Sequence, residues 1–536
     1  MTSACPWIGG SLGLTNNPNE ESTMSNVVIP FGKHRGSYLH NVDPGYLTWL
    51  LRKANEPDAW SGLVTFVDTH EADIREALRE AQLGKLEASL PQYTLNEGQR
   101  LAAENLKAWL QGSEPVAKLE GGAGYGKTFC VVDVVAEAVR SGYRVAAGAT
   151  SYVATQVLLS QLDPLGVEVK TLARHLRLEK VTRGQTEDYL LGEKTPEALA
   201  ELLSAGHLLV VDEYSMVGDD VADALLGAAR QYGGRLLAVG DLKQLPPVGQ
   251  NHPNRIAQVQ VSETLTQPMR YSVESDLYQV EQLARQNPYD LLNTGSSWGE
   301  SEQVRVVGSR EELVDEYVRD YEQDPQGNAR LYFFTRRDVV AANREVRARL
   351  FGQDAPLVVE DEHLVVNATS DVLNGKENLF RPGEPGTDRF YSGTQWVVTR
   401  FIESRVLAEG LEVPCYVADL VSPSGEVRKN VPLVFSVSES RADEATLGGV
   451  EYNAHLRALA EEAEELGNWA RFHAFKRHFL PVAYGYASTV HKAQGQTVDR
   501  AYILPRQLVF AGGRGTGEKL LYVAATRARR KLTMVL

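Results

Sequence analysis

The run Gly-Gly-Ala-Gly-Tyr-Gly-Lys-Thr at residues 121–128 constrains this chain more than any other feature. It fits the pattern GxxxxGK[ST], follows the apolar run VAKLE and precedes FCVVDVVAEAV, so it reads as the turn between a buried strand and a helix. Glycines there let backbone N–H groups close around phosphate oxygens, and the start of the next helix adds favourable electrostatics. On this reading Gly121, Gly122, Ala123, Gly124, Tyr125 and Gly126 form the cradle, Lys127 neutralises β- and γ-phosphate charge, and Thr128 offers its hydroxyl to Mg²⁺.

The segment LLVVDEYSM at 208–216 delivers two carboxylates to the end of an apolar strand. Beside a phosphate-binding loop, Asp212 is placed to hold Mg²⁺ and Glu213 to orient an attacking water, a pair suited to hydrolysis rather than nucleotide storage. Without that loop, a solvent-facing Asp-Glu at a strand end explains the segment as well. A further strand, RLLAV, leads into GDLKQLPPVGQ at 240–250, where Gln244 can sense the γ-phosphate or the water and two prolines stiffen the loop. Taken alone, that stretch is a Pro-rich connection.

Length bounds the rest: 536 residues at roughly 150 per domain imply about three or four domains. Hydrophobic residues at 43% and charged ones at 23% exclude disorder as the main state. With 55 Lys+Arg against 70 Asp+Glu the net charge is −15, which disfavours coating nucleic acid by bulk electrostatics but leaves room for a focused basic channel. Cys5, Cys130 and Cys415 show no CxxC or Cys/His spacing, so neither a disulfide framework nor a zinc site is expected, and a reducing cytoplasm fits. The first residues lack a basic and then apolar leader pattern, and no stretch reaches the ~18 apolar residues of a membrane helix, so export and membrane insertion are not expected.

The fold class is α/β. Residues 1–25 read as a flexible tail and 26–62 as a small accessory domain around PFGKHRG and VDPGYLTWL, with a helix from near Pro44 that puts Tyr46 and Trp49 on one face. Residues 63–92 read as a helical connector, and 93–270 as a parallel α/β domain carrying a small polar insertion at 174–198. A second α/β domain, 271–384 and 479–536, is interrupted by 385–478, a small β domain with a return helix.

The segments, in this order, resemble the superfamily 1 helicases, specifically superfamily 1B with the RecD subunit, bacteriophage Dda and the Pif1-like enzymes. LNEGQR at 95–100, GATSYVATQVL at 148–158, LTQPMR at 265–270, YASTVHKAQGQTVD at 486–499 and LYVAATRARRKL at 521–532 carry the likeness beside the three segments above. It implies two RecA-like P-loop NTPase domains using ATP and Mg²⁺. Gln99 is then the base-recognising residue, Thr150 and Ser151 contact the nucleic-acid backbone, and Arg270 meets the γ-phosphate. Gly495 and Arg527 face nucleotide across the cleft, and Thr489, His491 and Lys492 lie along the DNA path, with His175 near another DNA-contacting segment. Two arginines on separate lobes can clamp transferring-phosphate charge only when the lobes close, which couples hydrolysis to opening.

The resemblance makes 174–198 a pin-like insertion and 385–436 an SH3-like β insertion; Tyr189 and Trp396 could stack on bases or pack inward. Residues 27–52 resemble a small FGKxxG-type module whose Lys33, His34 and Arg35 suit phosphate contact or protein docking. The implied activity is 5′ to 3′ translocation on single-stranded DNA with unwinding at duplex junctions, by a monomer, with single-strand-binding or replication and recombination proteins as compatible partners. Replication, recombination and repair all stay open. The alternatives are a nucleic-acid-stimulated translocase that remodels nucleoprotein or RNA, and a nucleotide-gated DNA-binding protein; a small-molecule kinase leaves LTQPMR and the later motifs unexplained.

Overall fold

The computed structural model describes residues 27–54, 61–89, 94–183, 186–247, 250, 252–293, 298, 301–325, 328–377, 385–435, 449–511, 513 and 515–536, so the expected tail at 1–25 lies outside the described residues. The chain divides into two units.

In the first unit, the Ile29 N–H donates to the Ser37 carbonyl and the Ile29 carbonyl accepts from the Gly36 N–H across the Gly-Lys-His-Arg-Gly turn, and Gly32 and Gly36 take positive φ values of 70° and 86° to close it. Two helices follow, α1 (Pro44–Ala54) and α2 (Ser61–Ser89), the second kinked at His70. Ile29, Leu39, Leu47, Leu50, Leu63 and Ile74 form its core. The Tyr46 and Trp49 rings stack at 5.2 Å, as three-residue spacing on a helix allows, and the exposed Lys33 lies 5.5 Å from the Tyr46 ring.

The second unit begins with α3 (Glu97–Gln111), started by a reciprocal capping box between Asn96 and Gln99. Strands and helices then alternate: β1 (Val116–Gly121), α4 (Lys127–Arg140), β2 (Arg144–Ala149), α5 (Tyr152–Leu162), β3 (Glu168–Thr171) and α6 (Leu172–His175). A two-stranded hairpin, β4 (Glu179–Arg183) and β5 (Thr186–Leu190), occupies the polar stretch, before α7 (Thr195–Leu202), β6 (His207–Asp212), α8 (Asp219–Tyr232), β7 (Arg235–Gly240) and β8 (Ser262–Leu265). Six of these strands make a parallel sheet in the order β3-β2-β6-β7-β1-β8. Strands β1, β6 and β7 are buried almost throughout because helices cover both faces, which is why they read as continuous apolar runs.

After α9 (Asp276–Gln286) and α10 (Pro288–Asn293) come β9 (Val304–Val307), α11 (Arg310–Gln323), β10 (Ala329–Phe333) and α12 (Arg336–Phe351). The chain then leaves through β11 (His363–Val366), the pair β12 (Ser370–Glu377) and β13 (Pro385–Phe390), and β14 (Gln395–Ala408), β15 (Leu411–Val421) and β16 (Val427–Phe435). Helices α13 (Gly449–Leu466) and α14 (Ala470–Lys476) return it to β17 (Leu480–Tyr484), β18 (Ala487–Thr489), β19 (Val498–Ile503), α15 (Pro505–Ala511), α16 (Thr516–Ala525) and β20 (Ala528–Val535). A second parallel sheet runs β18-β10-β19-β20-β9.

Strands β11, β14, β15, β16 and β17 close into a barrel, so the barrel draws strands from both sides of residues 385–478. The return is two helices rather than one, parted at Gly467, which adopts φ 61°. The barrel shares a core with the second sheet: Leu331 and Phe333 belong to the same cluster as Val398, Leu420 and Leu433. Leu277, Val280 and Leu291 of α9 and α10 pack with Leu520 and Leu521 of α16, which ties the segment after residue 270 to the second lobe. Among the described residues, no helix is long and apolar enough to cross a membrane.

Candidate functional site

The loop from β1 to α4 turns tightly because Gly124 and Gly126 both hold φ 79°, a conformation that a side chain disfavours. Lys127 folds back and donates from Nζ to the carbonyls of Gly121 at 2.8 Å and Gly122 at 3.1 Å. Thr128 and Asp212 line one small cavity with Val131, Leu158, Val210 and Val239. That brings together two hard oxygen donors, the set that suits Mg²⁺ when phosphate and water complete its shell. Gln99, expected at the base, has both amide ends engaged instead: Oε1 accepts from the Asn96 N–H at 3.0 Å, and Nε2 donates to the Tyr125 carbonyl at 3.2 Å. It ties the loop to the start of α3.

Strand β6 ends at Asp212, and Glu213 follows with φ 52° and ψ 44°, a left-handed backbone that is costly for a residue with a Cβ. Its N–H donates to Asp212 Oδ1 at 2.9 Å. Burial raises both carboxyls above their ordinary range; Asp212 adds to the rise at Glu213, whereas Lys127 opposes it at both. Glu213 Oε2 and Gln244 Oε1 are buried without a hydrogen-bond partner, and Gln244 is only 2% exposed. Two orphaned acceptors at such a site are what an incoming water would satisfy.

The arginines come from opposite sides. The backbone N–H of Arg270 donates to the Gly124 carbonyl at 3.0 Å, while its guanidinium reaches the second lobe, to the Thr526 carbonyl at 2.7 Å and Thr497 Oγ1 at 3.2 Å. Arg527 is 3% exposed and donates to the carbonyls of Val523, Ala493 and Gln496 within its own lobe. Burial pulls its pKa down, Arg270 adds to that, and Glu213 opposes it.

Gly495, expected to face nucleotide across the cleft, packs against the start of α5. It holds φ 73°, and a Cβ built on it would come 3.2 Å from Ala154 Cβ and 3.8 Å from Ser151 Oγ. It brings Ser151 and Ala154 beside the segment carrying Thr489, His491 and Lys492. Ser151 Oγ caps α5 by accepting from the Ala154 N–H, and Thr489 Oγ1 accepts from the Lys492 N–H at 3.4 Å. Lys492 is exposed and His491 half-buried. His175 stands apart: it is 7% exposed, with Nε2 bonded to the Ala147 carbonyl at 2.9 Å, so its ring serves to hold α6 to β2. Trp396 packs inward on Phe390 at 5.1 Å, whereas Tyr189 is exposed. Tyr152 of α5 stacks on Tyr391 beside the barrel, with ring centroids 3.3 Å apart and nearly parallel planes.

Sequence reasoning missed Tyr522, Asp241, Glu281 and Arg285. Tyr522 accepts from the Ala123 N–H at 3.3 Å and donates to Asp241 Oδ2 at 2.6 Å, joining the phosphate loop, the end of β7 and α16. Both Tyr522 and Asp241 lie inside segments already singled out, LYVAATRARRKL and GDLKQLPPVGQ, where attention fell on Arg527 and Gln244. Glu281 and Arg285 on α9 carry no motif at all.

A family model described as an AAA domain matches residues 94–298, and one described as a UvrD-like helicase C-terminal domain matches 484–535. The ATP-dependent DNA helicase dda of Enterobacteria phage T4 is 25% identical over 472 residues, 81% of this chain and 98% of that protein. Conjugal transfer protein TraA of Agrobacterium fabrum is 26% identical over 82% of this chain, which spans about a third (32%) of that longer relative. A structure of Bacteroides Pif1 bound to ssDNA aligns with 83% of this chain and 93% of its own at 16% identity and a TM-score of 0.44.

Proposed function

We propose that this chain, a relative of the superfamily 1 helicases of the RecD, Dda and Pif1 kind at the family level, is an ATP-dependent DNA helicase moving 5′ to 3′ on single-stranded DNA. In this reading the backbone of 121–126 and Lys127 hold the triphosphate, Thr128 and Asp212 hold Mg²⁺, and Glu213 with Gln244 positions the attacking water. Bound there, Mg²⁺ neutralises phosphate charge. Arg270 and Arg527 stabilise the charge that develops on the transferring phosphoryl group.

The observation that supports this best is Arg270, whose backbone is strapped to the phosphate loop at Gly124 while its guanidinium binds Thr526 of the second lobe. A phosphate arriving in the loop competes for that guanidinium, so nucleotide state and the contact between lobes are linked through one side chain. Thr150 and Ser151 on one lobe and Thr489, His491 and Lys492 on the other then grip the DNA backbone, and the grip shifts as the lobes open and close. The β4–β5 hairpin acts as the strand-separating pin, and the barrel, as an SH3-like domain, covers the single strand.

ATP hydrolysis with and without single-stranded DNA tests the reading. Strong stimulation by DNA, lost at least about a hundredfold in Lys127→Ala, is the expected result. A folded protein that neither binds nor hydrolyses ATP would overturn it.

A further inference from the structure

Helix α9 sends Arg285 toward the phosphate loop, where nothing in the motif pattern anticipates a cation. Its guanidinium carbon lies 5.6 Å from the ring centroid of Tyr125, in the loop, and 5.9 Å from that of Tyr522, in the second lobe. A Cβ added to Gly122 would fall 2.5 Å from Tyr125 Cε2 and 2.6 Å from Arg285 Nη1, so the ring and the guanidinium both lie against the loop at that glycine.

The donor at that point is unused: Arg285 Nη1 is shielded from solvent and has no hydrogen-bond partner. One helical turn earlier sits Glu281, 1% exposed, with neither carboxylate oxygen hydrogen-bonded. An i,i+4 acid-base pair normally satisfies itself on an exposed face; here Glu281 is buried and Arg285 half-buried, and Nη1 and both carboxylate oxygens make no hydrogen bond. A cation over a ring face makes no hydrogen bond to the ring's heavy atoms, so these two contacts do not satisfy the Nη1 donor. A guanidinium whose Nη1 donor has no hydrogen-bond partner beside a glycine loop is matched to phosphate oxygens.

We propose that Arg285 is a further phosphate-binding residue, taking the polyphosphate chain of the nucleotide through the guanidinium edge now resting at Gly122 between Tyr125 and Tyr522. The inference rests on the nucleotide reading of the loop and adds a third arginine to the two at its rim. Gln282, in the preceding turn, donates to the Tyr125 hydroxyl at 2.9 Å and helps hold the stacking ring in place.

Competition against a fluorescent non-hydrolysable ATP analogue tests this, with inorganic tripolyphosphate and adenosine as separate competitors. Arg285→Gln keeps a flat group between the rings without the charge, and Arg285→Lys keeps the charge. The expected result is an inhibition constant for tripolyphosphate raised at least about tenfold in Arg285→Gln, adenosine unchanged, and recovery toward wild type in Arg285→Lys. No change for tripolyphosphate, or equal weakening of both competitors, would overturn the proposal and leave Arg285 a packing clamp. A wild-type protein that binds no ATP analogue would instead bring down the nucleotide reading itself, and this proposal with it.

Discussion

Arg270 donates from Nη1 to the carbonyl of Thr526 at 2.7 Å, one residue ahead of Arg527, which lies 3% exposed. On the proposed reading, lobe contact and phosphate contact make competing demands on this one guanidinium. Replacing Arg270 with alanine is expected to lower kcat for DNA-stimulated ATP hydrolysis by about a hundredfold or more, with KM for ATP little changed, because the charge it meets develops in the transition state. Steady-state kinetics at saturating DNA separate the two parameters. A rise in KM alone would make Arg270 a ground-state binding residue.

Glu213 spends its strained backbone to aim a carboxylate whose Oε2 has no partner. Glu213→Gln keeps the shape and loses the proton acceptor, so turnover is expected to fall about 10²–10⁴-fold while affinity for ATP persists. Phosphate release at the wild-type rate would remove Glu213 from the hydrolytic role.

Glu281 gives a pH signature that its neighbours set. Burial raises its carboxyl from 4.5 to about 7; Arg285, Arg270 and Lys127 oppose the rise and Asp241 adds to it. Folded protein therefore holds a proton that the unfolded chain releases, and the associated stability is full below 4.5 and is lost as pH rises through about 7. The loss is on the order of 3 kcal/mol at most. Urea unfolding of wild type and Glu281→Gln at pH 5 and pH 8 is expected to show the variant gaining relative to wild type at the higher pH. A pH-independent difference would contradict it.

The barrel is anchored by a buried ion pair: Arg347 Nε on α12 donates to Glu362 Oε1, just before β11, at 2.7 Å, with Glu362 fully enclosed. Tyr486 OH and the Val359 N–H also bond that carboxylate. Arg347→Ala leaves the charge without its cation and is expected to cost about 3–5 kcal/mol in urea unfolding, whereas joint replacement of both residues by apolar ones of similar volume costs much less. Equal losses in the two variants would show that packing rather than charge dominates.

The two parallel α/β lobes are legible because their strands are buried on both faces and so stand out as apolar runs, as VAKLEG and LLVVD do for β1 and β6. The barrel is only half legible: β14 to β16 read as strands, but it closes through β11 pairing with β17, Leu364 opposite Tyr484, across more than a hundred residues, which no local pattern encodes. At the site, Gln99 carried a signal for its observed place, since Asn96 and Gln99 have capping-box spacing. Glu281 and Arg285 carried none, because an i,i+4 acid-base pair looks the same whether solvated or enclosed. His175 and Trp396 are ambiguous in sequence because a single ring reads the same whether it packs inward or faces a ligand.

Real-time unwinding of matched duplexes bearing either a 5′ or a 3′ single-stranded tail, with ATP, Mg²⁺ and one salt concentration, tests the central claim most directly. Strand separation from the 5′ tail alone is the expected result. Separation from the 3′ tail alone, or none from either tail despite strong DNA-stimulated ATP hydrolysis, would contradict it.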